Sequence, residues 1–447
     1  MSIITDNTYN MTRTTRIITI ILFVILHFSC EHANASEYKQ LTSLPTVYIE
    51  TEGQQTINSK ENYLTCRLIM VNGKEQRVFD NVQIRGRGNS TWYKSEKKPY
   101  RLKFPIPCRL LGERYANARV WTLLANHGDK TLIRNALTHD LGRFVGLPFC
   151  PASVFIDLYV NGEYVGNYQV SDQIQANSKR VPINKKNGWL LETSGKWNME
   201  RNHFTTTGGM TYNVMNPKTK NLNETKLNYI RLWMEKMESA IFSEHFTDTI
   251  CGYRAYIDCE SLIKWYVASE ITGNLDALLS VYMHKEDGDG RIKFGPMWDM
   301  DFAYDRSGEY SLEKDMEAFA DFHDRPFQRV IQRLWQDPWF AKACHDKLET
   351  LVSDGLVTYL DEHIDSLSKV IKHSRKQNFR RWSISEPVYP WERSHYHKSY
   401  RPYINDLRHF LRIHIPYLRQ RFKELSETRK QIDNCEVKQS KHETSVS

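Results

Sequence analysis

Over the first two hundred positions apolar residues alternate with polar ones in short runs; after that they recur at intervals of three and four. TVYIE (46–50), YLTCRLIM (63–70) and DNVQI (80–84) are β-branched, alternating and bounded by turn residues, so each predicts a strand. PYRLKF (99–104) predicts another. Successive strand side chains point to opposite faces, which puts Tyr100, Leu102 and Phe104 on one side and Arg101 and Lys103 on the other. Leu132, Ile133, Ala136, Leu137, Leu141 and Val145 fall at helical spacing over 129–145. Asp129 is placed as the N-cap of that helix, and Gly146 followed by Pro148 ends it. VFIDLYVNGEYVGNYQV (154–170) is two alternating runs joined across Asn161-Gly162, a pair that tolerates the positive φ angles of a tight hairpin. GWLLET (188–193) adds an apolar strand.

From about residue 224 the helical period takes over. Leu227, Ile230, Met234, Met237 and Ile241 form one stripe, and residues 262–271 are strongly apolar. One hairpin interrupts: VYMH, a turn at 286–290, then RIKFGPMW, together covering 281–298. Beyond 315 the chain reads as mostly helical, closing with Leu407, Leu411, His414, Leu418, Phe422 and Leu425 on one stripe. The polar tail from about 428 is expected to be disordered. Runs of strands followed by runs of helices predict an α+β fold, with a sheet-rich N-terminal lobe (45–192), a helix-rich C-terminal lobe (193–425) and a polar tail (426–447). No linker rich in Pro, Gly or Ser separates the halves, which favours one catalytic unit with two lobes.

Residues 1–35 read as an export signal. Arg13 and Arg16 precede an apolar run, 17–28, broken only by Thr19 and His27. That run is shorter than the about 20 residues a bilayer span needs and suits a signal-peptide core. Ala33-Asn34-Ala35 is a small-x-small cleavage site that starts the mature chain at Ser36. Cys30, after Leu26-His27-Phe28-Ser29, offers a lipid anchor as the alternative. The expected location is the periplasm or cell surface, with membrane contact only through that anchor. The chain carries a net charge of +8, and loss of Arg13, Arg16, Asp6 and Glu31 with the leader leaves it unchanged. The excess is spread out. Its densest runs, 94–103 and 375–381, lack the size and aromatic interleaving of a nucleic-acid arm, so no nucleic-acid partner is expected. Eight cysteines without a CxxC fit neither a zinc site nor a dense disulfide framework and are read as structural.

Candidate chemistry centres on three acids. Asp276 in GNLDALLS (273–280), and Asp299 and Asp301 in WDMDFAYD (298–305), sit at the ends of a predicted helix and strand, with the hairpin between them. A carboxylate at an element's end can point into a cleft and stay rigidly held. A helix, a loop with one Asp, a hairpin and then a metal-binding Asp is the order in which protein kinases place their catalytic and magnesium loops. There the first Asp orients the attacking hydroxyl and accepts its proton, and the second holds magnesium on the phosphates. Taken singly, each acid is equally a helix cap or a turn residue. It is the joint order that points to catalysis. Upstream, RGRGNST (85–91) and the strand that follows offer phosphate contacts, and Arg87, Asn89, Ser90, Arg101 and Lys103 are the candidate nucleotide-binding residues. GRGNS lacks the full GxGxxG spacing and is also plain turn chemistry, and Arg101 and Lys103 also fit the solvent face of an edge strand. The acid that would orient the lysine is left among Asp140, Asp172 and Glu192. The chain has no GxSxG, HExxH or Walker loop. His395 and His397 are its only close histidine pair, and Trp382, Tyr389 and Trp391 read as packing aromatics rather than a sugar-stacking face.

Four motifs in order carry a family resemblance: IRGRGNSTWYKSEKKPYRLKF (84–104), WTLLANHGDKTLIRNAL (121–137), VFIDLYVNGEYVGNYQV (154–170) and NLDALLSVYMHKEDGDGRIKFGPMWDMDFAYD (274–305). Over roughly residues 45–425 the chain resembles the spore coat protein H (CotH) kinase family, in the form common in secreted proteins of Bacteroides-type bacteria. The resemblance implies an atypical protein-kinase-like fold and transfer of phosphate from ATP, with Mg2+ (or Mn2+), to a protein Ser/Thr hydroxyl or to the kinase itself. Asp276 then takes the catalytic acid's place and Asp299 the metal-binding acid's, with Asp301 its neighbour in the motif. One position departs. Kinase catalytic loops carry an Asn five residues after the catalytic Asp as a ligand for a second metal; here that position is Val281, with Ser280 beside it as the weaker ligand. An inactive pseudokinase acting as a surface interaction protein therefore stays open, as does a DxD phosphatase or glycosyltransferase.

Overall fold

The strand pairing that begins at residue 46 closes on itself. The computed structural model describes residues 38–195, 199–274, 276–288, 290–304, 326–388 and 396–443. Within it β1 (Thr46–Thr51), β2 (Leu64–Asn72), β3 (Glu75–Gly86), β4 (Tyr100–Cys108), β5 (Ala118–Leu124), β6 (Ser153–Val160) and β7 (Glu163–Asp172) form a closed barrel in the order β1-β2-β3-β4-β5-β7-β6. Pairing is antiparallel except at the closing seam, where β1 runs parallel to β6 with Tyr48 opposite Tyr159. Closure removes exposed edges, and alternation supplies the interior. Val82, Ile84, Leu102, Phe104, Trp121, Leu123, Ile156, Leu158, Tyr168 and Val170 are buried in one cluster. The predicted faces of 99–104 hold: Tyr100, Leu102 and Phe104 are buried, Arg101 and Lys103 only half so. Asn161 and Gly162 take φ values of 50° and 81°, as the hairpin turn requires.

A second sheet has the order β12-β11-β8-β10-β9, built from β8 (Trp189–Ser194), β9 (His203–Thr205), β10 (Thr211–Asn216), β11 (Tyr282–Lys285) and β12 (Lys293–Phe294). The strand read as the end of the N-terminal lobe thus lies between β11 and β10, inside the sheet of the later half. All six of its residues are buried, so it needs a partner along both edges. β5, β9 and β10 were not predicted.

Nine helices lie among the described residues: α1 (Ser90–Lys94), α2 (Arg134–Val145), α3 (Glu224–Phe242), α4 (Cys259–Thr272), α5 (Pro326–Leu334), α6 (Pro338–Ser353), α7 (Leu356–Val370), α8 (Lys372–Arg381) and α9 (Tyr400–Glu443). The α+β class holds. Helix α4 is buried along nearly its whole length and packs against α2, α6 and α9. Two expectations are corrected. Helix α2 starts five residues after Asp129, because Leu132 adopts a left-handed φ of 63° that no helix continues through. Asp129 still caps it at a distance, taking the N–H groups of Thr131 (2.7 Å) and Arg134 (2.8 Å). Helix α9 runs on to Glu443, through the tail expected to be disordered. Glu, Lys, Arg and Gln dominate that stretch, and they are good helix formers whatever their polarity.

A buried polar tie fixes the barrel to α8. Lys97, 1% exposed, donates to the carbonyls of Ala125 (2.7 Å) and Asn167 (2.5 Å) and to Asn378 Oδ1 (2.9 Å). Asn167 Nδ2 donates to Ser374 Oγ (2.8 Å), whose hydroxyl donates to Asp157 (2.5 Å). The leader run 17–28, Cys30, the cleavage site at 33–36, Asp305, Tyr389, Trp391 and His395 lie outside the described residues. Among those described, six cysteines are free, with Cys66 and Cys344 buried, and no helix is long and apolar enough to cross a membrane.

Candidate active site

The WDMD motif follows β12 and turns sharply. Asp299 has a left-handed φ of 61°, a conformation that costs most L-residues energy, Asp and Asn less than others, and that recurs at functional sites. The turn delivers Trp298, Asp299 and Asp301 to a narrow recess, whose other walls include Arg87 and Thr91 after β3, Asn126 after β5 and Asn135 on α2. Asp301 Oδ1 accepts from Asn135 Nδ2 at 2.8 Å, and its backbone carbonyl accepts from the Arg134 guanidinium at 2.8 Å. Its carboxyl is pushed up to about 7, first by burial and then by the neighbouring charge of Asp299. Asp299 opens to solvent at the recess mouth. Desolvation by the surrounding walls raises its carboxyl as well, with Arg87 opposing the shift. The Arg87 guanidinium lies over the Trp298 ring, 5.3 Å from its centre.

Two carboxyls that repel one another beside one arginine leave negative charge to be neutralised, and both donors are hard oxygens. Magnesium is commonly held by one or two carboxylates, with water and substrate phosphate oxygens filling its shell. Among the described residues no group of three or more His, Cys, Asp or Glu converges. Asp299 and Asp301 are donors of the type that magnesium takes.

Asp276 lies in the turn after α4, which Gly273 terminates with a φ of 56°. It does not line the recess. Its N–H donates to Asn274 Oδ1 at 3.2 Å, and Asn274 Nδ2 donates to the carbonyl of Asp299 at 3.2 Å, so one buried amide joins the two acidic segments. The far end of the turn is held by β8. Val281 N–H donates to Thr193 Oγ1 (2.8 Å), Thr193 Oγ1 donates to the Leu279 carbonyl (3.2 Å), and Ser280 Oγ donates to Glu192.

The cationic candidates separate. Burial lowers the Arg101 guanidinium, Arg85 and Arg87 lower it further, and its buried Nε has no hydrogen-bond partner. Lys218, after β10, is lowered by burial and by Arg101, while the carboxylate of Glu200 opposes both shifts. Arg101 thus has Arg85, Arg87 and Lys218 as cationic neighbours, with Glu200 opposing the shifts of Arg101 and Lys218. Lys218 and Glu200 were not anticipated, since nothing in their local sequence marks them. Lys103 instead stands over the Tyr63 ring at 5.5 Å, Asn89 Oδ1 accepts from Lys60 at 2.8 Å, and Ser90 is exposed at the start of α1. The glycines of the loop have packing and turn roles: a Cβ on Gly86 would lie 2.3 Å from the Trp92 ring, and Gly88 has a φ of 80°.

None of the three acids proposed to orient a lysine meets Lys103. Asp140 pairs with Arg143 (2.6 Å), Asp172 with Arg180 (2.6 Å), and Glu192 takes the Ser280 hydroxyl. His397 pairs with Asp406 at 2.6 Å, and Trp382 Nε1 donates to the Val165 carbonyl at 2.9 Å, the packing role expected of it. A roomier cavity of about 660 Å³, walled by Met70, Arg77, Leu110 and Ile156 among others, lies in the barrel and includes none of the candidate residues. The candidate residues Arg87, Asp299 and Asp301 line the smaller recess instead.

The recess thus joins paired carboxyls to Arg87, with Arg101 and Lys218 in the same cationic neighbourhood. The chain belongs to the CotH kinase protein family, whose model matches residues 84–413. A search of curated proteins gave no match. The matched stretch runs from β3 into α9 and contains every candidate site residue, and membership indicates a kinase-like protein that uses a nucleotide and a divalent metal.

Proposed function

We propose that this protein is an exported CotH-type kinase, of the kind secreted by Bacteroides-type bacteria, that transfers the γ-phosphoryl group of ATP to a Ser or Thr hydroxyl on itself or another protein. The observation that carries the reading is the meeting of Asp299, Asp301 and Arg87 in one recess beside the Arg101 cluster, within the span matched to the family. Asp299 and Asp301 would hold Mg2+ or Mn2+, and the metal supplies neutralisation of the phosphate charge during transfer. Arg87 and Arg101 meet phosphate oxygens. Asp276 orients the acceptor hydroxyl and takes its proton. Ser280 gives its hydrogen to Glu192, which leaves its lone pairs free to serve as the weak ligand that Val281 cannot provide. In this reading the barrel with α1 serves as the nucleotide lobe of a kinase-like fold, and the helices as the catalytic lobe.

A thermal-shift panel of ATP, GTP and nucleotide sugars, each with and without Mg2+, tests it. ATP with metal is expected to stabilise the protein by about 2.7 kcal/mol at a hundredfold excess over Kd. A shift with nucleotide sugars alone would make the protein a glycosyltransferase, and no shift with any nucleotide would make it a surface interaction protein. ATP binding without transfer of labelled phosphate would mark a pseudokinase. Export has its own check: the native protein should have the intact mass of a chain starting near Ser36 or at a lipidated Cys30. A chain retaining Met1 would exclude both.

A further inference from the structure

The peptide unit between Asp299 and Met300 is held from both sides by buried asparagines. Its carbonyl accepts from Asn274 Nδ2 at 3.2 Å, and its N–H donates to Asn135 Oδ1 at 3.2 Å. Each amide uses its other end on a second acid. Asn274 Oδ1 accepts the N–H of Asp276 (3.2 Å), and Asn135 Nδ2 donates to Asp301 Oδ1 (2.8 Å). Asn135 Nδ2 also reaches Asn126 Oδ1 at 3.0 Å, and Asn126 in turn donates to Gln169 at 3.1 Å, so the clamp is anchored in barrel strand β7. Asn274 and Asn135 are 1% and 4% exposed, which makes each of these bonds costly to lose.

We infer that Asn135 and Asn274 are positioning residues. Together they hold Asp299 in its left-handed conformation and set the spacing of all three acids from opposite sides of one peptide bond. A planar amide suits the task, because it offers a donor and an acceptor at fixed separation. A non-glycine residue at positive φ is strained, and its conformation persists only where the surroundings over-determine it. Here one asparagine comes from α2, which packs on α4 and α7 and reaches the barrel through Asn126 and Gln169, and the other from the turn after α4. The clamp therefore also fixes how the barrel side of the site meets the helical side. The inference rests on the metal-binding role proposed for Asp299 and Asp301.

The test is Mn2+ binding measured directly by calorimetry, with single-turnover phosphate transfer from labelled ATP as a second readout, in the parent and in Asn135→Ala, Asn274→Ala and Asn378→Ala. Asn378 is an equally buried asparagine, 1% exposed, whose bonds go to Lys97 and the Asn167 N–H. It serves as the matched control for lost stability, with folded fractions equalised by circular dichroism. Partners that orient metal ligands typically contribute about 10–100-fold to affinity or activity. Asn135→Ala and Asn274→Ala should each weaken Mn2+ binding by that factor and slow transfer, while Asn378→Ala binds Mn2+ like the parent. Parent-like Mn2+ binding in both clamp variants, or equal weakening in all three, overturns the inference while leaving the functional reading intact. A parent that binds no Mn2+ and transfers no phosphate removes both.

Discussion

Asp276→Asn is expected to slow phosphoryl transfer by about 10²–10⁴-fold while leaving MgATP affinity close to the parent's, because a positioned general base contributes in that range and touches no phosphate. Asn keeps the size of the side chain. The backbone contacts that build the turn, from Asp276 N–H to Asn274 and from Leu279 N–H to the Asp276 carbonyl (3.0 Å), involve no carboxylate oxygen and survive. Asp299→Ala should do the opposite first. It removes a carboxylate from the recess and with it the lesser of the two main upward pushes on Asp301, whose carboxyl then comes down from about 7 but stays raised by burial. Metal-nucleotide binding weakens because one oxygen donor is gone. Single-turnover transfer, MgATP calorimetry and circular dichroism on the two variants separate the roles. Transfer at the parent rate by Asp276→Asn would sink the catalytic assignment. Loss of stability in both variants with no nucleotide-specific defect would reduce these acids to turn residues.

The three acids stand out in the sequence because their order along the chain, with a hairpin between, is itself the signal, and the structure brings Asp299 and Asp301 into one recess while Asp276 lies in the turn after α4. The groups that hold them do not stand out. Asn135 sits one position beyond Arg134 at the start of an apolar helical stripe, and a single buried amide leaves no trace in a periodic pattern. The same holds for Lys97. It falls in the dense basic run 94–103, yet it is among the most buried of the described side chains, with its amine lowered by burial. What decides its fate is the set of carbonyls brought to it by β5, β7 and α8, which lie far apart in sequence. Alternation likewise gave the faces of β1 to β4 and the β6–β7 hairpin, since each depends only on neighbouring residues. It could not give barrel closure, which requires β1 to meet β6 more than a hundred positions later. Strand β5 escaped for a related reason: the residues at its end, Trp121, Thr122, Leu123 and Leu124, are buried on both faces, so nothing alternates.

Arg180→Met is expected to destabilise the protein by about 3–5 kcal/mol, the usual cost of leaving one member of a buried ion pair alone. Asp172 and Arg180 are 1% and 0% exposed in their side chains and 2.6 Å apart. Burial raises the Asp172 carboxyl and lowers the Arg180 guanidinium despite their mutual attraction. Desolvation thus outweighs pairing on each side, so the pair itself adds little net stability, while breaking it strands a charge. In the variant Asp172 loses its main opposing influence, and its carboxyl rises further. An acid whose folded pKa lies above its unfolded value binds more protons when folded, so stability falls as pH rises from about 4 through the raised value. The deficit of Arg180→Met relative to the parent should therefore be smaller in acid than at pH 8 in urea unfolding. Adding Asp172→Asn should recover much of the loss, because a neutral amide keeps the acceptor that Ala152 N–H uses at 3.0 Å without a buried charge. An equal deficit at both pH values, with no recovery in the double variant, would mean that the loss comes from the packing of Arg180 against Trp121, 4.5 Å from its ring centre, rather than from the stranded carboxylate.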